Sequence, residues 1–243
     1  MFVYPDWPAP KRVKAVMTTR EGGMSAKPYA SLNLGDHVDD CPQAVTKNRA
    51  LLHETLQLPA EPIWLSQVHG TTVLKHAVAQ SGDEADAIVA TQAGQVCAIM
   101  TADCLPVLFC DRTGTVVGGA HAGWRGLAAG VLGNTIDTMG CSPDQILVWL
   151  GAAIGPSAFE VGDDVRDAFL AQDDKCGQAF KAYQTGKWMA DIYQLATRNL
   201  VRNGILQENI YGAHWCTFTQ AEQFYSYRRE SQTGRMASLI WLD

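Results

Sequence analysis

Four stretches of this chain repeat apolar residues at helical spacing, and many shorter ones are continuously apolar or rich in Val, Ile and aromatics. Residues 42–58, PQAVTKNRALLHETLQL, bring Ala44, Val45, Leu51, Leu52, Thr55 and Leu56 onto one stripe, with Pro59 as the stop. Residues 126–139, GLAAGVLGNTIDTM, repeat the pattern through Leu127, Val131, Leu132, Ile136 and Met139, and Gly140 follows where a helix end expects it. VGDDVRDAFLAQ and WMADIYQLATRNLVRNG predict two more helices, the second ending at Gly204.

The strand candidates are VKAVMTT, PIWLSQVH, TTVLKH, ADAIVAT, VCAIMT, LPVLFC, TVVGGAH, QILVWLGAAI, NIYGAHW and ASLIWL. They cluster in the middle of the chain instead of alternating one for one with helices, so a doubly wound nucleotide fold is not expected. The pattern predicts an α+β fold with mixed or antiparallel sheets packed under helices. No internal repeat interrupts it.

Composition narrows the partners. The chain has 243 residues, 47% of them hydrophobic, and no linker or low-complexity tract, which predicts one domain over 1–243. A formal charge of -6 argues against a nucleic-acid surface, because phosphate binding needs a basic stripe. Prolines break the leading segment MFVYPDWPAPKRVKAV, and no later apolar run has membrane-spanning length, so a soluble, cytoplasmic protein without a membrane partner is expected. Seven cysteines without a CxxC pair speak against a disulfide framework and for mostly buried thiols.

Two reactive residues bracket one hairpin. In TADCLPVLFCDRTGTVVGGAHAGWRG, a turn centred on Arg112 and Thr113 sets Asp111 against Gly114 and Cys104 directly against His121. Opposed residues share a face with Cβ atoms about 4.5 to 5.5 Å apart, which suits two ligands of one metal or a Cys/His nucleophile dyad. A bulge at Gly114 would displace that pairing. A buried thiol beside a hydrogen-bonded histidine is the ordinary alternative.

Three neighbours favour chemistry. Asp103 is a charge in an apolar region, where an unpaired carboxylate is costly. Gly118, Gly119, Ala120, Ala122 and Gly123 leave almost no side-chain volume around His121, as a strand does where something approaches closely. Arg125 stands just before a helix start, a place that favours an anion. For a third metal ligand, His69 ends a strand candidate in WLSQVHG, whereas His53, His76 and His214 have weaker contexts, and His37 in NLGDH is a substrate-binding or supporting candidate. Two imidazoles and a thiolate suit zinc with an open fourth position, and the same donors suit copper.

These residues belong to a longer set of motifs. Thr19, Arg20, Gly22 and Gly23; SLNLG at 31–35; QVHG at 67–70; TADC at 101–104; AHAGWRG at 120–126; GAAIGP at 151–156; FYSYRR at 224–229; and TGR at 233–235 together resemble the YfiH-like family. That family was first described as multicopper polyphenol oxidases or laccase-domain proteins, then as zinc-dependent purine nucleoside phosphorylases. The resemblance implies a four-layer α/β/β/α sandwich with mixed sheets, similar to the catalytic domain of cytotoxic necrotizing factor. It also implies metal ligands at His69, Cys104 and His121, and phosphorolysis of adenosine, inosine, guanosine and methylthioadenosine together with adenosine deamination. Members are further described as editing factors that remove misincorporated serine from a murein precursor. One departure is visible: Asp39 and Asp40 follow NLGDHV, where the family often has Gly-Asp.

Within the phosphorylase reading, Cys104 and His121 form the catalytic centre with the metal, and Asp103 or His37 assists proton transfer. Arg20, Asn33, His37 and Arg125 are the candidate contacts to phosphate, hydroxyls or base edges. The small-molecule partners are then a nucleoside and phosphate, and a homodimer is compatible with the sequence. Serine-precursor editing by amide hydrolysis is the alternative. A copper phenol oxidase fits less well: the chain has six histidines and no HxH pair, whereas a four-copper enzyme uses about ten histidines. For the C-terminal arginines Arg228, Arg229 and Arg235, a surface loop tied to acidic neighbours is the favoured reading and a second anion site the other.

Overall fold

The computed structural model describes all 243 residues. It is a mixed α+β protein with three sheets. The largest runs Ile210–Gly212, Ile146–Leu150, Leu105–Asp111, Val117–Ala122, Ala87–Ala90, Val73–Lys75 in spatial order. A five-stranded sheet runs Phe2–Val3, Val13–Thr18, Met236–Leu242, Cys97–Thr101, Ile63–Trp64, and a small sheet joins Glu160–Gly162, Lys187–Ala190 and Phe180–Gln184. Parallel and antiparallel pairs coexist in both large sheets.

Central strands are buried on both faces, which is why they read as unbroken apolar runs and not as an alternation. Along Leu105–Asp111, the odd side chains Leu105, Val107 and Phe109 share one apolar cluster with Leu127, Leu132 and Leu195 from the helices. The even ones, Leu108 and Cys110, share a second cluster with Met17, Ile99 and Ile240 of the five-stranded sheet. A third cluster joins Leu52, on the helix Pro42–Leu56, to Val16, Ala98 and Leu239 of that sheet. His121 shares a face with Gly119, whose missing side chain would meet Ile99 and Leu108 of the second cluster.

Most expected elements form, with three differences. The helix expected over 126–139 is two, Trp124–Ala129 and Val131–Met139, because Gly130 takes a φ of 101° and closes the first. The stretch from Trp188 divides into the end of a strand and a helix, Ile192–Arg202, started where the Asp191 carboxylate accepts from the backbone of Tyr193 and Gln194. Phe2–Val3, Glu160–Gly162 and Phe180–Gln184 form strands that the sequence pattern did not predict.

The hairpin turn differs as well. Asp111 faces Val116, with Arg112–Thr115 as the loop, because the Asp111 carboxylate gathers the N–H groups of Thr115 at 2.6 Å and Val116 at 2.9 Å and the Thr113 hydroxyl. His121 therefore pairs with Pro106, and the next outward position brings Cys104 against Gly123, not against His121. Each partner moves by two positions, so Cys104 and His121 keep the same face of the sheet.

Candidate active site

Three ligand atoms converge where the sheets part. His69, Cys104 and His121 each offer one, all within 4.8 Å of one another. Cys104 Sγ stands 3.8 Å from His69 Nε2, and the two imidazoles meet edge to face with centroids 4.7 Å apart. A tetrahedral zinc with bonds of about 2.0–2.3 Å needs donors about 3.3–3.8 Å apart, so a small inward movement fits the ion.

Gly123 makes this possible. A Cβ placed there would lie 2.7 Å from His69 Cδ2 and 3.1 Å from Cys104 Sγ. The His69 ring occupies the space that a side chain opposite Cys104 would fill.

His69 is carried on a loop anchored to both sheets. The Gln67 amide donates to Met100 O at 2.7 Å and accepts from Met100 N at 2.8 Å, extending the Ile63–Trp64 pairing by a side chain. On the other side, the fully buried Asp86 carboxylate accepts from the backbone of Val68, His69 and Gly70. His69 itself has a φ of 61°, a left-handed conformation rare outside glycine. Asp86 also accepts from His121 Nδ1 at 2.7 Å, which leaves Nε2 as the atom facing the site.

The charges follow from this geometry. Burial alone would raise the Cys104 thiol, but the His121 and His69 imidazoles outweigh it and bring it down to about 6. Burial alone would lower His121, while the Cys104 sulfur and the Asp86 carboxylate carry it up to about 9. Burial opposes the Asp86 charge too, yet its hydrogen bonds from His121, Gly70 and His69 hold it below the usual carboxylate range.

The triad opens into a cavity of about 450 Å³ whose wall includes His37, Phe159, Tyr227, Arg228 and Arg235. Of the residues proposed from sequence, His37, Asp103 and the three ligands meet here. The other three stand apart from this cavity. Arg125 is exposed and stacks on Trp124 with its guanidinium carbon 4.4 Å from the ring centroid, as the short helix it opens turns it outward. Arg20 donates to Ala30 O and Ala221 O and lies over Tyr225. Asn33 is fully buried, bonded to Gly35, Asp40 and the backbone of Arg235.

The C-terminal motif brings two arginines to the cavity wall. Arg235 donates through Nη1 to Thr233 O and Gly234 O, and Arg228 donates to Glu160 O at 2.9 Å, so both are held in the cavity wall without a carboxylate partner. Arg229 alone is consumed by structure, donating to Thr217, Phe218 and Phe224 carbonyls. His37 is pushed below its ordinary value by burial and by Arg235. Asp39, where the resemblance expected glycine, takes a φ of 64°, the conformation glycine adopts freely.

Asp86, Met100 and Phe159 are residues that sequence reasoning missed, and Gln67 entered it only within the QVHG motif. Asp86 carried a signal: it is a carboxylate between alanines in the apolar run ADAIVAT, the argument applied to Asp103.

Two imidazoles and a thiolate that could hold a metal ion, open to a cavity walled by Arg228 and Arg235, make this the candidate active site of a mixed α+β protein. Comparison with known proteins gives that class its family. Residues 14–243 match the family model described as multi-copper polyphenol oxidoreductase laccase, and the chain belongs to that family. It is 55% identical to a purine nucleoside phosphorylase of Pseudomonas aeruginosa, over 99% of this chain and 98% of the relative. It is 53% identical to purine nucleoside phosphorylase YfiH of Escherichia coli over the same shares. A crystal structure of a Neisseria meningitidis protein superposes with a TM-score of 0.96 at 51% identity, covering 100% of this chain and 99% of that one.

Proposed function

We propose that this chain is a zinc-dependent purine nucleoside phosphorylase acting on adenosine, inosine, guanosine and methylthioadenosine, with adenosine deaminase activity at the same centre. The observation that carries the reading is the His69, Cys104 and His121 cluster opening onto Arg228 and Arg235, two cations without a carboxylate partner, in one cavity. The names of the close relatives support it. One cluster of three ligands suits one ion, which favours the phosphorylase over a four-copper oxidase.

When bound, zinc would supply Lewis acidity for a substrate oxygen, or an acidic water with a pKa of about 7 for deamination. Everything else falls to the chain. Arg235 and Arg228 hold the phosphate as charge-assisted donors in place of the exposed Arg125. Tyr227, Phe159 and Met100 present aromatic and thioether surface to the purine. The C1′–N9 bond breaks as phosphate oxygen bonds to C1′, and the hydrogen phosphate proton ends on the purine nitrogen. His37, which lines the cavity with Arg235, is the group beside the phosphate that relays it.

Several coarser features support the same picture. The three apolar clusters favour a four-layer α/β/β/α sandwich and a single domain. Seven free cysteines suit a reducing cytoplasm, and no helix is long and apolar enough to cross a membrane.

The test is one assay of metal-analysed protein on adenosine and inosine with and without phosphate. We expect stoichiometric zinc and ribose 1-phosphate formed only with phosphate. Absent or phosphate-independent inosine cleavage would overturn the phosphorylase reading. Full activity after chelation would overturn its zinc dependence.

A further inference from the structure

We propose that Asp86 is the positioning residue for both imidazoles of the centre, setting His121 through its ring and His69 through its main chain. The inference rests on the zinc reading above. It concerns a residue that is no ligand and does not line the cavity.

The geometry is unusually complete for one side chain. Asp86 Oδ1 accepts from His121 Nδ1 at 2.7 Å and from His69 N at 2.9 Å; Oδ2 accepts from Gly70 N at 2.6 Å and Val68 N at 3.2 Å. The main chain adds a fifth link, since His121 N donates to Asp86 O at 2.7 Å. His121 is therefore held by both its backbone and its ring from one residue.

Three successive N–H groups can meet one anion only if the backbone curls into a nest, and the φ of 61° at His69 supplies that curl. The carboxylate thus stabilises the conformation that aims the His69 side chain inward. The same oxygen that takes the His69 N–H fixes the His121 ring with Nδ1–H outward and the Nε2 lone pair facing Cys104. Both ligand directions are set before any ion arrives.

Only an ionised carboxylate suits this place. Asp86 is fully buried, so its charge is tolerable only while these donors surround it. Asparagine offers one acceptor oxygen and an NH2 group, which would face an N–H donor or hydrogen-bond His121 Nδ1 as a donor. In that second arrangement the proton moves to Nε2 and the ring cannot ligate. Groups that orient a ligating histidine typically change metal affinity by about 10–100-fold when replaced.

The test compares zinc affinity of wild type and Asp86→Asn by chelator competition, with circular dichroism and thermal unfolding of the zinc-free proteins as the check on folding. We expect one zinc per wild-type chain and an affinity about 10–100-fold weaker in Asp86→Asn. The second measurement needs no variant: nitrogen-15 NMR of the histidine rings in zinc-loaded wild type. We expect His121 bound through Nε2, with a slowly exchanging proton on Nδ1. Affinity of a folded Asp86→Asn within about twofold of wild type, or His121 bound through Nδ1, overturns the proposal and leaves the zinc reading standing. A wild type that takes up no stoichiometric zinc overturns both.

Discussion

Asp103 Oδ2 accepts the backbone N–H of Arg228 at 2.6 Å, joining positions 125 apart in the chain. Its other oxygen accepts the Thr217 hydroxyl at 2.6 Å. Both oxygens are acceptors, and the next residue is Cys104. Asp103 thus ties the loop that carries Cys104 to the arginine wall through two hydrogen bonds. Replacing it by Ala should destabilise the protein by about 1–3 kcal/mol and raise KM more than it lowers kcat. Denaturant titration and steady-state kinetics check this; a loss confined to kcat with a displaced pH limb would assign proton transfer instead.

Gly123→Ala isolates the room made for His69. Its φ of -62° is open to alanine, but the new Cβ falls 2.7 Å from His69 Cδ2. The fold should survive while zinc affinity drops by about tenfold or more, the scale of a displaced ligand. Metal content of wild-type level after dialysis against a weak chelator would show that the ring does not need the vacant position.

The two arginine readings separate cleanly in kinetics. Arg235→Ala removes a charged donor from the cavity wall and should raise the KM for phosphate roughly 10–100-fold, the worth of about 1.5–3 kcal/mol. Arg125→Ala removes an exposed guanidinium stacked on Trp124, and should leave both KM values within about twofold. The reverse order in phosphate titrations would return the anion site to the helix start.

Asp111 gives a pH signature for the hairpin. Burial alone would raise its pKa, but hydrogen bonds from Thr113, Val116 and Thr115 outweigh burial and hold the carboxyl below its ordinary value. A carboxyl lowered on folding contributes stability that is present above its unfolded value, about 3.9, and is lost as pH falls through the lower folded value. Asp111→Ala should therefore be less stable than wild type by about 1–3 kcal/mol at pH 7, with the gap closing in strongly acid solution. Urea unfolding across that range measures it; a gap independent of pH would assign the effect to packing.

Much of this protein was legible in its sequence, and the reasons are local. The stripe on residues 42–58 and the apolar runs of the central strands specify their elements by periodicity, and the glycines after 117 announce a close approach around His121. The reactive identities of Cys104, His121 and His69 are likewise properties of the chain, as is the apolar context that made Asp103 conspicuous.

Tertiary structure decided the rest because it depends on which distant groups satisfy one another. A carboxylate gathering three turn residues moved the hairpin register, so Gly123 and not His121 stands opposite Cys104. A helix start promised an anion site at Arg125, yet the direction of that short helix turned the side chain to solvent. Arg228 and Arg235 reached the cavity through the Asp103 and Asn33 hydrogen bonds, from 125 and 202 positions away. The sequence by itself determined which side chains are able to bind a metal. Only the packing of two sheets, with Asp86 buried between their loops and satisfied by donors from both histidines, determined that three of them face one point.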